Sequence, residues 1–454
     1  MKYNFAFKST IRKYITAGYI LVAATITALV VANLPQTKEW YQTFWQEHLH
    51  FVVAGHDIFS HNGHSLTIGG FINDFLMAVF FLSVGLELKR EIFCGGELST
   101  IRKALLPCIA AVGGMVMPTL VFAISCNLTG DANFMDVMER GMPIPMATDI
   151  AFSLGVLSIF SKRVPLGLKV FLAALAVADD LGGIIVIALF YSSDINVFYL
   201  GLSALCIGAL CLGNITKVRT KAFYVSIGVA LWYLMLNSGI HATIAGVIVA
   251  FFVPATLKKG TGYYLERIRN NVSKFPVIEV DDLHNTIVLT NEQIHTLKSI
   301  ESAADKMISP LQDLEDNLHT LINYVVIPLF AFANAGIDLS QMSPGSIFSG
   351  VSLAVMLGLI VGKFVGVFSF SWVAIRMKIV SLPTGASWQS FASVCVVCGI
   401  GFTVSMFIAD LSYAGLGADA ALQLGQAKLG VLLGSVISAL LGSILLNKAL
   451  PKQA

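Results

Sequence analysis

The chain has 454 residues, of which 56% are hydrophobic and only 12% are charged. Soluble domains carry about 25% charged residues, so this composition excludes an ordinary soluble protein and predicts one embedded in the lipid bilayer. The net charge of +2 gives no general attraction for nucleic acid, which excludes a nucleic-acid-binding protein.

Twelve apolar runs follow one another along the chain, each judged against the roughly 20 residues that a membrane-spanning helix needs. They lie at 15–34, 72–88, 104–126, 146–160, 168–191, 197–213, 222–237, 240–255, 320–336, 347–375, 388–410 and 427–447. The first run is longer than the hydrophobic part of a signal peptide, so we expect it to be retained. The pattern predicts an all-α polytopic membrane protein of about twelve transmembrane helices.

Basic residues lie on one side of this predicted array. They precede the first run and follow every even-numbered one, as at Lys2, Arg90, Arg219, Lys258 and Arg376. The positive-inside rule makes that side cytoplasmic. An even number of spans then places both ends of the chain in the cytoplasm.

A polar segment at about 48–68 lies on the outer side and contains Asn62-Gly63 between two strand-like runs. This dipeptide predicts a β-hairpin, because a type I′ turn needs positive φ at both positions. The hairpin is either a lid over the spans or, since exposed strand edges pair readily, a contact with a second copy in a homodimer.

A second polar segment, 258–314, is predicted to be a cytoplasmic insert. It separates helices one to eight, within 1–257, from helices nine to twelve, within 315–454. A helix is expected to start in it at Thr290, where Gln293 completes a capping box.

Two carboxylates, Asp179 and Asp180, stand side by side near the middle of the run 168–191. Each costs about 2.5–3.5 kcal/mol at the centre of an inserted helix. Intramembrane acids therefore indicate a functional site. A structural ion pair between helices would explain one of them but seldom both.

Lys363 lies deep inside the run 347–375 and needs an acidic partner there. Asp179 and Asp180 point about 100° apart around their helix, so they cannot both face the same neighbour. We expect one of them to pair with Lys363 and the other to face a hydrated cavity.

Two further runs contain helix breakers near their middles. Pro143 and Pro145 precede Thr148 and Asp149 in the fourth run, and Gly399 and Gly401 lie together in the eleventh. Interrupted spans in corresponding places of two halves indicate a transporter binding site. Asp149 has two interpretations there: a helix N-cap alone, or an acid that also serves the site.

These groups suit the exchange of small cations for protons. Carboxylates, a threonine hydroxyl and freed backbone carbonyls are oxygen ligands, which hard cations such as Na⁺ and Li⁺ prefer. The same carboxylates bind protons, so a proton and a cation compete for one site. That competition is sufficient for exchange if the site faces one side of the membrane at a time.

Six motifs make the chain recognisable. They are FLSVGLELKRE (81–91), ATDIAFSLGVL (147–157), ALAVADDLGGIIVIALFY (174–191), SGIHATIAGVI (238–248), IPLFAFANAGI (327–337) and CGIGFTVSMFIA (398–409). Over nearly the whole chain the sequence resembles the NhaA family of sodium/proton antiporters, a family already known for inverted structural repeats.

The resemblance implies inverted repeats in spans three to five and ten to twelve, and broken, crossing helices in spans four and eleven. It implies that Asp180 is the principal Na⁺ ligand, assisted by Asp179 and Thr148. Asp179 would pair with Lys363, while Asp149 and Lys363 compensate the half-helix ends. It also implies electrogenic exchange of Na⁺ or Li⁺ for protons in a bacterial inner membrane, activated at alkaline pH, with no cofactor and no enzymatic activity.

The pH-response residues of the family map onto a cytoplasmic funnel. They are Glu87, Arg90, Glu91, Glu315 and His319, with His241 at the start of the eighth span. Ordinary charges that end helices, and an interhelical histidine at position 241, are the alternatives. The insert is longer than in the family and Gln312 stands where a basic residue is usual, which leaves the pH setting open.

Two other functions share parts of this pattern. An intramembrane aspartyl protease needs acids on two separate helices, and Asp149 could supply the second, although no further protease motif is present. A sodium-coupled symporter would need a pocket for an organic substrate in addition to the ion site.

Overall fold

The computed structural model describes residues 17–451 with short gaps. The gaps are 51, 54–55, 58–59, 62–63, 97, 130–138, 161–162, 192–194, 257–259, 274, 276–289, 342–349 and 414–417. The predicted Asn62-Gly63 turn and the basic residues Lys2 and Lys258 therefore lie outside the described residues.

Helices account for nearly all of the described structure. The first half of the chain forms α1 (Ala17–Asn33), α2 (Lys38–Gln46), α3 (Ile68–Phe93), α4 (Ile101–Thr129), α5 (Ile150–Ile159), α6 (Leu166–Phe190), α7 (Val197–Ile215), α8 (Lys221–Ser238) and α9 (Ile244–Phe252). The second half forms α10 (Thr261–Ser273), α11 (Asn291–Asp305), α12 (310–334), α13 (Gly350–Arg376), α14 (Trp388–Val397), α15 (Phe402–Tyr413) and α16 (Ala418–Ala449). The prediction of an all-α membrane protein is confirmed.

Seven of the described helical segments are long and apolar enough to cross a membrane, and one of them, Glu139–Ile159, contains α5 and the irregular backbone before it. The number rises to nine if two sharply bent helix pairs each count as one span. Each of the twelve predicted runs overlaps a helix, but several of these helices are too short to cross a membrane on their own. The run 240–255, for example, yields only the nine residues of α9. The number twelve therefore stays a prediction, as does the inverted-repeat relation.

Of the helices that the structure describes, three contain a π-helical turn, at Ile72–Leu76 in α3, Ile322–Val326 in α12 and Gly358–Gly362 in α13. A π turn widens the helix by one residue and is frequent at functional sites. The last of them directly precedes Lys363, so it sets the direction in which that side chain leaves the helix.

The segment before α3 forms two short antiparallel ladders where one hairpin was predicted. Val52–Val53 pairs with His56–Asp57, and Ser60–His61 pairs with His64–Ser65. An ion pair of 2.7 Å between Lys38 and Asp338 ties the neighbouring α2 to the loop after α12.

The insert contains α10 and α11 in its described parts. The predicted start of α11 is confirmed: the Thr290 side chain accepts from the Gln293 backbone, and the Gln293 side chain accepts from the Thr290 backbone at 2.8 Å. Arg219 donates to the carbonyls of Lys306 and Ile308 and so holds the end of α11 against the bundle. We call the end of the bundle that carries Arg90, Lys103 and Arg219 the basic end.

Helices α4 and α13 cross in direct backbone contact at two glycines. A Cβ atom on Gly113 would lie 2.4 Å from the carbonyl oxygen of Gly366, and one on Gly366 would lie 2.1 Å from the carbonyl oxygen of Gly113. Small residues allow such close approach in membranes. Close to this crossing, a Cβ on Gly114 would lie 3.4 Å from the Lys363 ammonium and 3.5 Å from a carboxylate oxygen of Asp179.

Candidate ion-binding site

Two interrupted helices meet at the centre of the bundle. A 3₁₀ turn at Ile144–Met146 is followed by extended backbone before α5 starts. The second interruption separates α14 from α15, whose axes differ by 40°. Proline lacks a backbone N–H group and glycine tolerates irregular backbone, so the breakers in the sequence explain both interruptions.

The two interruptions satisfy each other's backbone groups. The Asp149 N–H group donates to the Ile400 carbonyl at 2.7 Å, and the Thr148 hydroxyl donates to the Cys398 carbonyl at 3.0 Å. Irregular backbone at membrane depth is tolerated only where protein or water supplies such partners. The broken spans therefore cross in contact, as the resemblance implied.

Asp149 joins the starts of both half-helices. Its Oδ1 accepts from the Phe152 N–H group at 3.0 Å, which caps α5. Its Oδ2 accepts from the Thr403 hydroxyl at 2.6 Å and from the Thr403 N–H group at 3.1 Å, at the start of α15. Helix N-termini carry partial positive charge, so one buried carboxylate compensates two of them. Asp149 is an N-cap, but it also bridges the two broken spans.

Asp179 is bound on one side by Lys363. The Lys363 ammonium lies 2.6 Å from Asp179 Oδ2, and neither side chain has exposed surface. The Thr148 hydroxyl lies 2.8 Å from the same oxygen, so its one hydrogen is shared between Asp179 and the Cys398 carbonyl. Lys363 also donates to the Met146 carbonyl, within the first interruption. The structure thus supplies the acidic partner that Lys363 required.

Asp180 points elsewhere. It lines a cavity of about 610 Å³ together with Thr148, Asp149 and Thr403. Within the described part of the chain, neither of its carboxylate oxygens has a hydrogen-bond partner, although the residue is only 1% exposed. A buried carboxylate without partners is costly unless it takes up a proton or a cation. The geometry therefore leaves Asp180 as the acid that is available to a mobile ion.

The cavity leads from Asp180 to the basic end, where Glu87, Arg90, Glu315 and His319 also line it. Arg90 donates to Glu315 and, at 3.1 Å, to Glu91. Burial raises the pKa of Glu315, and the Arg90 guanidinium only partly offsets this effect. The structure therefore gathers the predicted pH-response residues of α3 and α12 at or beside the mouth of the cavity.

His241 is placed apart from that group and is not among the residues that line the cavity. Its Nδ1 lies 2.9 Å from the Thr243 hydroxyl, and its ring packs edge-on against Phe407 at 5.6 Å between centroids. These contacts match the alternative of an interhelical histidine.

Thr403 was missed by reasoning from sequence. It follows the Gly399–Gly401 break much as Thr148 follows Pro143 and Pro145. Two breaks, each followed closely by a threonine, would have indicated that both half-helix starts contribute a hydroxyl group to one site.

Buried carboxylates on two crossing, interrupted helices, reached from one end by a cavity, are the arrangement of a secondary membrane transporter. A sequence profile of the family described as Na⁺/H⁺ antiporter 1 matches residues 8–446, and the chain belongs to that family. The resemblance drawn from the motifs is confirmed.

Curated relatives cover the same length. The Na⁺/H⁺ antiporter NhaA of Phocaeicola vulgatus is 49% identical over 99% of this chain and 97% of its own length. The protein of that name from Bacteroides fragilis is 50% identical over 97% of both chains. The one from Salmonella paratyphi A is 39% identical over 94% of both chains.

Proposed function

We propose that this chain exchanges Na⁺, and also Li⁺, for protons at Asp180. It is a transporter and not an enzyme, and neither the protease nor the symporter alternative has support in the family to which the chain belongs. The observation that carries the proposal is the unpartnered Asp180 carboxylate inside a cavity that also contains Thr148 and Asp149.

Exchange follows from competition at that carboxylate. Na⁺ is held by the ionised form, assisted by the hydroxyl of Thr148, so its binding requires that Asp180 first release a proton. Asp179 assists through Oδ1, which has no hydrogen-bond partner among the described residues, while its Oδ2 stays paired with Lys363. The resemblance implies that more protons than Na⁺ ions are exchanged, which makes the exchange electrogenic.

The direction of transport follows from the cavity and the charges around it. The cavity opens at the basic end. By the positive-inside rule we infer that this end faces the cytoplasm, as do both ends of the chain, and that the protein lies in a bacterial inner membrane. The site in this conformation is therefore open to cytoplasmic Na⁺. Protons bind after the site has turned to the opposite side.

The proposed activation at alkaline pH involves the titratable groups at the mouth of the cavity. Because the pKa of Glu315 is raised, its carboxyl is neutral at lower pH and ionises as the pH increases. The charge pair with Arg90 then strengthens with pH, and so does the link between α3 and α12. We assign Glu87, Glu91 and His319 to the same pH-response group as Glu315 and Arg90.

A homodimer in the bilayer completes the proposal. The two ladders within 52–65 are only two residues long on each strand, and strand edges of this kind can pair with those of a second copy. Cross-linking of single cysteines introduced into this segment, in membranes, tests the contact.

The Asp180→Asn variant tests the proposed function directly. It should abolish Na⁺-dependent dissipation of a proton gradient in everted vesicles, because a neutral amide can neither release the proton nor hold the cation. Asp313→Asn is the matched control, since Asp313 forms an exposed ion pair with Lys221 outside the cavity. Normal exchange by Asp180→Asn, with the control also normal, would remove the proposed ion ligand.

A further inference from the structure

A second polar cluster lies inside the bundle and is not used by the site described above. It consists of Asn73, Asn334, Asp410 and Lys428, and we call it the far cluster. Lys428 lies 2.8 Å from Asp410 Oδ1, and Asn73 donates to Asp410 Oδ2 at 3.0 Å. Asn334 donates to Asn73 at 2.7 Å, and Lys428 donates to Asn334 at 3.3 Å. The four side chains thus form a closed ring of hydrogen bonds that joins α3, α12, α15 and α16.

The ring lies on the side of Asp180 that faces away from the cavity mouth. In α3, Asn73 precedes the cavity-lining Glu87 by about 21 Å of helix. In α15, Asp410 follows the cavity-lining Thr403 by about 10 Å. Asn334 ends α12, a helix whose earlier residues line the cavity. Three helices that form the open path therefore also form the ring at the opposite end.

A layer of packed rings separates the ion site from the far cluster. Phe407 lies between Thr403 and Asp410 in α15, and its ring centroid is 6.0 Å from that of Phe81 and 5.6 Å from that of His241. Phe81 and Phe407 are 1% and 0% exposed. The path from the ion site to the far end is closed in this conformation.

Among the described residues, the ion pair of the ion site and that of the far cluster differ in their access to water. The side chains of Lys363 and Asp179 have no exposed surface, whereas those of Lys428 and Asp410 keep 14% and 9%. Burying an ion pair adds little to stability, because desolvation offsets the attraction. Partners that water can reach on separation part at lower cost, which suits the far cluster to repeated opening. Asn73 also lies in a π-helical turn, a feature frequent at functional sites.

We propose that Asn73, Asn334, Asp410 and Lys428 are the gate on the far side of the transport path. The ring holds α3 and α12 against α15 and α16 while Asp180 is open at the basic end. It separates when the site turns to the opposite side. This assignment rests on the proposed exchange function, which requires that one side close while the other opens.

Covalent closure of the ring tests the assignment in the full-length protein. The seven free cysteines are replaced, and Asn73→Cys and Asp410→Cys are introduced together. A short bis-methanethiosulfonate reagent then bridges the two thiols. Bridging should lower Na⁺/H⁺ exchange in proteoliposomes at least tenfold, and a reductant should restore it. Binding of ²²Na⁺ to the bridged protein in detergent should change less than twofold, because the cavity at the basic end stays open.

The single variants Asn73→Cys and Asp410→Cys, treated with the same reagent, control for modification without a bridge. The gate assignment would be overturned if the bridged protein exchanged at more than half the rate measured after treatment with reductant. A failure of the two thiols to bridge would overturn it as well. Asn334→Cys with Lys428→Cys gives the same test across the ring if the first pair lowers the unbridged rate. A cysteine-free parent that binds Na⁺ without exchanging it for protons would instead refute the proposed function.

Discussion

The pair between Lys363 and Asp179 makes the sharpest prediction about stability. Replacing Lys363 with Met removes the ammonium group 2.6 Å from Asp179 and leaves a carboxylate with no exposed surface. Removing one partner of a buried ion pair costs about 3–5 kcal/mol, a large part of a typical stability of about 5–15 kcal/mol. At about 2 °C per kcal/mol, the melting temperature in detergent should fall by about 6–10 °C.

The double variant Lys363→Met with Asp179→Asn should recover most of that loss, because no unpaired charge remains. Lys38→Met is the matched control. It breaks an ion pair of 2.7 Å whose side chains are 28% and 14% exposed, so it should cost no more than about 1 kcal/mol. The measurement is thermal unfolding followed by fluorescence-detected size exclusion. A Lys363→Met protein that melts like its parent, or a double variant no more stable than the single one, would refute the pairing.

Three further changes test the surrounding structure. Thr403→Val should weaken Na⁺-dependent exchange by removing the 2.6 Å hydrogen bond to Asp149, which vesicle assays would show as a raised half-maximal Na⁺ concentration. Gly113→Ala should destabilise the crossing of α4 and α13, since its Cβ would lie 2.4 Å from a carbonyl oxygen, and the melting temperature would fall. Glu315→Gln should flatten the alkaline rise in exchange, because the raised pKa of Glu315 makes its pair with Arg90 grow with pH.

Each of these three predictions has an experimental outcome that would contradict it. Thr27→Val, which changes an exposed threonine of α1, is the control for Thr403→Val, and equal effects of the two would remove the special role of Thr403. Unchanged melting of Gly113→Ala would show that the crossing relaxes easily. An unaltered pH profile of Glu315→Gln would place the pH response elsewhere.

The central chemistry could be predicted from sequence because its signals are local. A lysine in the middle of an apolar run demands a partner, and two adjacent acids on one helix must face different neighbours. The structure shows both consequences at Lys363, Asp179 and Asp180. Helix breakers beside Thr148 and Asp149 likewise indicated where the spans would be interrupted.

Other features depend on contacts between distant segments and could not be read in the same way. Asp410 and Lys428 stand at the ends of the apolar runs 388–410 and 427–447, where charges ordinarily mark a helix end. Asn73 and Asn334 are uncharged and give no warning in a hydropathy pattern. Only the packing of four helices brings these side chains within hydrogen-bond distance. The outer segment differed for a similar reason: strands of two residues leave no periodic pattern by which to distinguish two ladders from one hairpin.

Proton release on Na⁺ binding tests the central claim most directly. Purified protein is titrated with NaCl in lightly buffered solution across a range of pH, and the displaced hydrogen ions are counted with a dye or by calorimetry in buffers of different ionisation enthalpy. We predict that protons leave as Na⁺ binds, that apparent Na⁺ affinity rises with pH, and that both effects vanish in Asp180→Asn. Na⁺ binding of constant affinity at every pH, with no protons displaced, would contradict the account.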